Sequence, residues 1–239
     1  MPIQCAMEFT RLTTDGMREI DYGVMKHAFL AHREIGCLCD EVIYESRLKR
    51  LLMDAGYEVE TQVPVVLSFR DFVKPLYLDL TVNRSVIYEL KTVAKLVPRH
   101  TMQLLSYLFL TDASRGKLLN FRPQKLESQF VNSTMQHAER QRFHVEVEAW
   151  RGPVDFREMI EALVADWGTG LDHSLYLEAI VHCLGGSEMV TRQIPMEMAG
   201  QSLGNQRFYL LGDQAAFRVT TFQDNLVDER CRQFRKLIE

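Results

Sequence analysis

Residues 76–91 leave this chain few ways to fold. Leu76-Tyr77-Leu78-Asp79-Leu80-Thr81-Val82-Asn83 and Val86-Ile87-Tyr88-Glu89-Leu90-Lys91 both alternate and are rich in Val, Ile, Leu and Tyr. A short polar turn, Arg84-Ser85, separates them. This pattern predicts a β-hairpin. Alternation puts Glu89 and Lys91 on one face of the second strand, with Asp79 across the hairpin. Two carboxylates and an ammonium in an apolar hairpin are costly unless they are paired or bound to a metal. Converging carboxylates suit a hard divalent cation. A lysine beside them can steady a developing negative charge. Together they suit phosphodiester hydrolysis.

Asp79 followed by Glu89-x-Lys91 resembles the D…ExK signature of PD-(D/E)XK nucleases. Leu78 stands where those proteins often carry proline. Around it, His32-Arg33-Glu34-Ile35-Gly36 leads into Glu41-Val42-Ile43-Tyr44, then Thr61-Gln62-Val63-Pro64, then His100 and Gln103-Leu104-Leu105-Ser106-Tyr107. This order resembles the GxxExxY family of that superfamily, with Leu38 in place of the naming glycine. Gln103 and Tyr107 fit the QxxxY helix motif of its exonuclease-like branch. The resemblance covers about residues 22–135. It implies an α/β fold with a mixed sheet flanked by helices, one or two Mg²⁺ ions that Mn²⁺ can replace, and a nucleic-acid substrate, DNA rather than RNA. It implies Asp79, Glu89, the Leu90 carbonyl and Glu41 as ligands, with Lys91 orienting water or offsetting charge. Gln103, Tyr107 and His100 would stand beside the site. Tyr44 would either position Glu41 or pack in the core.

The bulk composition is that of a globular protein, 46% hydrophobic and 25% charged over 239 residues. No apolar run reaches membrane-span length. Five cysteines without a pattern and the absence of a secretory-type start point to a reduced, cytoplasmic protein. Cys37-x-Cys39 lacks the further ligands of a zinc site. The net charge of −4 argues against a general polyanion binder. Its distribution is uneven: +1 over residues 1–122 and −5 over 123–239. Arg84, Lys95, Arg99 and His100 cluster with Lys91 in the sequence. They are read either as substrate-phosphate contacts or as a solvated, charged loop.

Residues 1–16 read as a loose arm, with Asp15 or Asp21 capping a helix to about residue 35. Asp40 caps a second helix to about Ala55, and Gly56 stops it. A long strand follows over residues 58–69, and Pro64 predicts an edge position or a bulge. After the hairpin, Pro98 opens a helix to about Thr111 and Lys117-Leu118-Leu119-Asn120-Phe121 returns as a buried strand. Residues 122–142 read as a connector, residues 143–150 as an alternating strand, and residues 156–167 as an amphipathic helix.

The tail echoes the head. Gly168-Thr169-Gly170-Leu171-Asp172-His173-Ser174-Leu175-Tyr176 lines up with residues 36–44, and Thr191-Arg192-Gln193-Ile194-Pro195 echoes Thr61-Gln62-Val63-Pro64. Phe208-Tyr209-Leu210-Leu211 echoes residues 76–79, and Phe217-Arg218-Val219-Thr220-Thr221 echoes residues 88–92. At the charged positions stand His173 for Glu41, Leu211 for Asp79, Arg218 for Glu89 and Thr220 for Lys91. Either the chain is a nuclease-like domain, 1–135, and a degenerate second copy, 136–239, or the similarity is chance over short strands. A worn copy would pack against the first, form a homodimer or hold substrate. The function expected is a metal-dependent nuclease. The alternatives are a silent nucleic-acid- or partner-binding protein, and a structural Glu89–Lys91 ion pair. A Ser/His/Asp hydrolase lacks its nucleophile elbow here, and no glycine-rich phosphate loop is present.

Overall fold

The computed structural model describes residues 1–133, 135–150, 152–212, 215–220 and 226–238. Two units result, Met1–Leu171 and Asp172–Glu239. In the first, the supposed loose arm holds a strand, β1 (Ile3–Cys5), and the start of α1 (Thr14–Ile35). Thr13 caps α1, its hydroxyl accepting from the Gly16 N–H at 3.1 Å; neither Asp15 nor Asp21 serves as the cap. The second helix, α2 (Glu41–Asp54), starts after Asp40, whose side chain makes no capping hydrogen bond.

Strands β2 (Val59–Phe69), β3 (Phe72–Val82) and β4 (Val86–Lys91) form an antiparallel meander. The chain then crosses through α3 (Pro98–Thr111) and returns as β5 (Arg115–Asn120), parallel to β4. A sixth strand, β6 (Glu127–Asn132), closes the sheet antiparallel to β5, in order β1-β2-β3-β4-β5-β6. β6 replaces part of the expected connector. It is an edge strand with one buried residue, Val131, so it shows little apolar alternation in the sequence. Pro64 is not on an edge. β1 pairs only with Val65–Leu67, and the Pro64 carbonyl, just past that pairing, accepts from the Ala6 N–H. The irregularity expected in this strand lies two residues earlier, at Gln62, whose φ is 54°.

One face of the sheet packs on α1 and α2. There Val24, Ala28, Tyr44, Leu48 and Leu52 meet Leu80, Val82, Tyr88, Leu90 and Leu119, all fully buried. Each such side chain contributes about 1.5–3 kcal/mol by leaving water. The other face receives α3 at close range. A Cβ on Gly116 would lie 2.9 Å from a Leu104 methyl and 3.0 Å from the Ile87 carbonyl, so β5 needs glycine there. β4 is therefore covered on both sides, and all its residues but Lys91 are buried.

Beyond the sheet, α4 (His137–Arg140) and α5 (Val154–Trp167) complete the first unit. The strand expected over residues 143–150 does not form; the segment holds only a 3-10 turn, Val147–Ala149. The segment pairs with neither edge of the sheet, β1 or β6. The unit boundary falls after Leu171, where the sequence reading drew it at 135/136. Among the described residues no helix is long and apolar enough to cross a membrane.

The second unit contains α6 (His173–Cys183), α7 (Ser187–Val190), an antiparallel meander β7 (Thr191–Met198), β8 (Gln201–Leu211) and β9 (Ala215–Phe217), and α8 (Val227–Ile238). Leu211 ends β8, while Arg218 and Thr220 follow β9 outside any element. Thr221 lies outside the described residues.

Candidate active site

The register of β2 and β3, with Thr61 opposite Leu80 and Val63 opposite Leu78, sets Gln62 across from Asp79. On the other side Leu80 pairs with Tyr88, so Asp79 faces Glu89 where β3 and β4 diverge. The Leu90 N–H donates to Asp79 Oδ2 at 2.8 Å. Lys91 Nζ donates to Glu89 Oε1 at 2.7 Å and to the Leu90 carbonyl at 2.8 Å, and stands 3.8 Å from Asp79 Oδ2. Four residues the sequence singles out thus form one cluster. Glu89 is only 1% exposed; its second oxygen, Oε2, is buried and no N–H reaches it, and the Glu89 carboxyl meets that of Asp79 in a carboxyl–carboxyl contact.

Burial pushes the Glu89 carboxyl up to about 8, and the Asp79 charge adds to that. Asp79 is also raised by burial, against the pull of Lys91 and the Leu90 N–H. Burial works against the Lys91 ammonium, but Glu89, Asp79 and Glu41 together carry its pKa above the ordinary lysine value. A carboxyl with a buried oxygen that no N–H reaches, beside a second carboxyl, is a site short of positive charge.

Glu41, in the first turn of α2, is raised by its own burial and feels Lys91 and Asp79, so the helix brings it to the same cluster. Gln103 Nε2 donates to the Tyr107 hydroxyl at 3.2 Å on α3. Burial and then the Glu89 charge raise the Tyr107 hydroxyl, so this pair also borders the cluster.

Other expected residues take different places. Tyr44 is fully buried and stacks on Phe121 with ring centres 4.5 Å apart. Its hydroxyl donates to the Gly36 carbonyl, so it pins the loop before α2 instead of holding Glu41. His100 caps α3, its Nδ1 accepting from the Val97 N–H at 3.1 Å. Burial, then Lys91 and Arg99, lower its pKa, which favours this neutral, accepting form. Arg84 sits at the hairpin turn, ion-paired with Glu58 at 2.7 Å and Glu60 at 3.6 Å, at the opposite end of β4 from Lys91. Lys95, on the connection that follows Lys91, and Arg99, in the first turn of α3, are exposed.

Sequence reading passed over Glu45, which follows Glu41 by four residues and so shares its helix face. Its Oε2 accepts from Gln62 Nε2 at 2.6 Å, and Gln62 also hydrogen-bonds Asp79. It also passed over the support of the loop after Lys91. The Asn120 amide accepts from the Val93 N–H and donates to the Val93 carbonyl and to Glu127. Arg122 donates to the carbonyls of Thr92, Cys37 and Cys39.

Two facing carboxyls and a main-chain carbonyl are hard oxygen donors, and Glu89 Oε2 is one such donor that no N–H reaches. That set fits a divalent ion such as Mg²⁺. Among the described residues no three His, Cys, Asp or Glu side chains are already gathered as a ligand group.

No curated protein matches the chain. Among solved structures, the crystal structure of SSO0001 is similar to it, with 22% identity over 51% of this chain and 64% of that one, and a TM-score of 0.31. Residues 18–132, which hold every member of the charged cluster, match the family model of the PD-(D/E)XK nuclease superfamily.

Proposed function

We propose that this protein is a metal-dependent nuclease that hydrolyses phosphodiester bonds, in DNA rather than RNA. The observation that carries this reading is the pair of buried carboxyls, Glu89 and Asp79, with no N–H on Glu89 Oε2 and Lys91 bonded to the same carboxyl. The family match of residues 18–132 supports it.

Asp79, Glu89 and the Leu90 carbonyl would hold the ion, with Glu41 beside them. When bound, the ion supplies acidified water and charge neutralisation at phosphate. Lys91 already donates to the carbonyl and the carboxyl of that donor set, so it is held where negative charge develops during attack. The Leu90 N–H fixes the Asp79 carboxyl. Gln103 and Tyr107 present an amide and a phenol for hydrogen bonds to phosphate or water. Lys95 and Arg99 add substrate-phosphate contacts.

For residues 172–239, the reading is a worn second copy that lacks the metal donors. Its support is element order: α6 and then, after the short α7, the meander β7-β8-β9 resemble α2 and then β2-β3-β4. The residue equivalences do not share a register. Pro64 pairs with Tyr77, whereas Pro195 pairs with Asn205, four residues before Tyr209.

The test is cleavage of linear and circular, single- and double-stranded DNA, and of RNA, with Mg²⁺, Mn²⁺ or chelator. Metal-dependent cleavage is expected, and Lys91→Ala is expected to lower it by at least about 10²-fold while Mn²⁺ binding and folding persist. Unchanged cleavage by that variant would overturn the role of Lys91. Intact Mn²⁺ binding with no cleavage of any substrate would overturn catalysis in favour of a binding protein.

A further inference from the structure

Lys26, Phe29 and Arg33 recur at three- and four-residue spacing and so form one stripe along α1. With Lys125, from the loop after β5, they line a groove of about 900 Å³. His27 and His32 add to that lining, and no carboxylate does. In a chain of net charge −4 this is a local concentration of cations. Nearby carboxylates are engaged elsewhere. Asp21 holds Lys117 at 2.8 Å, and Glu34, next to Arg33 in sequence, holds Arg47 at 2.7 Å. Lys26, Arg33 and Lys125 are exposed and have no hydrogen-bond or ion-pair partner among the described residues. Between them the Phe29 ring is 53% exposed.

The groove is braced. His32 Nε2 lies 2.9 Å from the Pro123 carbonyl and 3.1 Å from that of Phe121, which staples the loop to α1. It is also tied to the cluster: Lys125 lies three residues beyond Arg122, which donates to the carbonyl of Thr92, next after Lys91.

We propose that this groove is an accessory nucleic-acid site that takes a single-stranded segment of the substrate. Three unanswered cations match the charge of a phosphodiester backbone. An exposed ring among them is a platform for a base, and only an unpaired base offers its face to it. The inference rests on the nuclease reading and adds a surface outside the charged cluster.

The test is fluorescence anisotropy of labelled single-stranded DNA and of the same sequence as duplex. It uses the full chain carrying Lys91→Ala to stop turnover, over a range of salt. Adding Lys26→Ala, Arg33→Ala and Lys125→Ala together is expected to weaken single-strand binding by about tenfold or more and to reduce its log–log salt slope by about 2. Phe29→Ala is expected to weaken single-strand binding by about tenfold, with the slope and duplex binding unchanged, and Phe29→Trp to restore it. All four side chains are exposed, so the unfolding midpoint should hold; circular dichroism checks this. Groove variants that bind single strands like the parent overturn the inference, as does an equal loss on duplex for Phe29→Ala or a parent that binds neither. The two readings fail separately. Single-strand binding lost in these variants, with no cleavage by the wild-type chain under any metal, keeps the groove and removes the nuclease. Cleavage with groove variants unaffected removes only the groove.

Discussion

Glu89 is the residue of the charged cluster whose protonation burial shifts the most. Its carboxyl is raised from an ordinary 4.5 to about 8. In metal-free protein, the folded state keeps a proton there that the unfolded chain has lost above about pH 4.5. The stability this group contributes is complete below that pH and is lost as pH rises towards 8. Thermal unfolding in chelator should therefore show a midpoint that falls between about pH 5 and pH 8, and Glu89→Gln should flatten that fall. A wild-type midpoint that rises across this window would reverse the assignment. The residues of this centre were legible to different degrees. Asp79, Glu89 and Lys91 stand out because charge is anomalous on an apolar alternating strand. Glu45 and Gln62 do not, since a glutamate on a helix and a glutamine in a half-exposed strand are ordinary surface residues until the register places Gln62 opposite Asp79.

At the scale of elements, the loop between β4 and α3 links the end of β4, where Lys91 pairs with Asn120, to the segment ahead of α2. Arg122 ties that loop, through the Thr92 carbonyl, to the Cys37 and Cys39 carbonyls ahead of α2. Thr92 in turn hydrogen-bonds Glu41 through its backbone. Arg122 thus joins the two segments carrying Lys91 and Glu41. Arg122→Ala is expected to lower cleavage by about 10- to 100-fold, with Mn²⁺ affinity falling in parallel and far-ultraviolet circular dichroism unchanged. Full activity in that variant would show that the loops hold their places without it. The helices α1, α2 and α3 and the meander were legible from periodicity, the Gly56 stop and Pro98, because packing reinforced local preference there, whereas the acidic N-caps expected for α1 and α2 were not found. The edge strands β1 and β6 were not, being three and six residues long and largely exposed. Residues 143–150 gave the opposite error: alternation alone does not make a strand unless the segment also pairs with a neighbouring backbone.

For the whole molecule, the boundary of the first unit depends on two side chains rather than on a linker. Arg140 is 1% exposed and donates to the carbonyls of Phe109, Trp167 and Thr169 at 2.6–2.8 Å, with its guanidinium 4.4 Å from the Phe109 ring centre. Trp167, fully buried, donates to the Ser68 carbonyl at 3.0 Å and packs on Phe72. These contacts join residues 136–171 to both α3 and the β2–β3 turn. Composition gave no sign of them, since one arginine and one tryptophan leave no periodic trace. Cutting at the boundary drawn from sequence would strip both. Losing a buried Trp alone costs about 3–5 kcal/mol, a large share of the roughly 5–15 kcal/mol that holds a domain together. A fragment of residues 1–171 is therefore expected to unfold cooperatively, and a fragment of residues 1–135 to melt at least about 10 °C lower or to aggregate. Calorimetry of the two fragments separates these outcomes. Equal midpoints would mean that residues 136–171 only decorate the sheet, and that the match over residues 18–132 already contains all that this fold needs to stand.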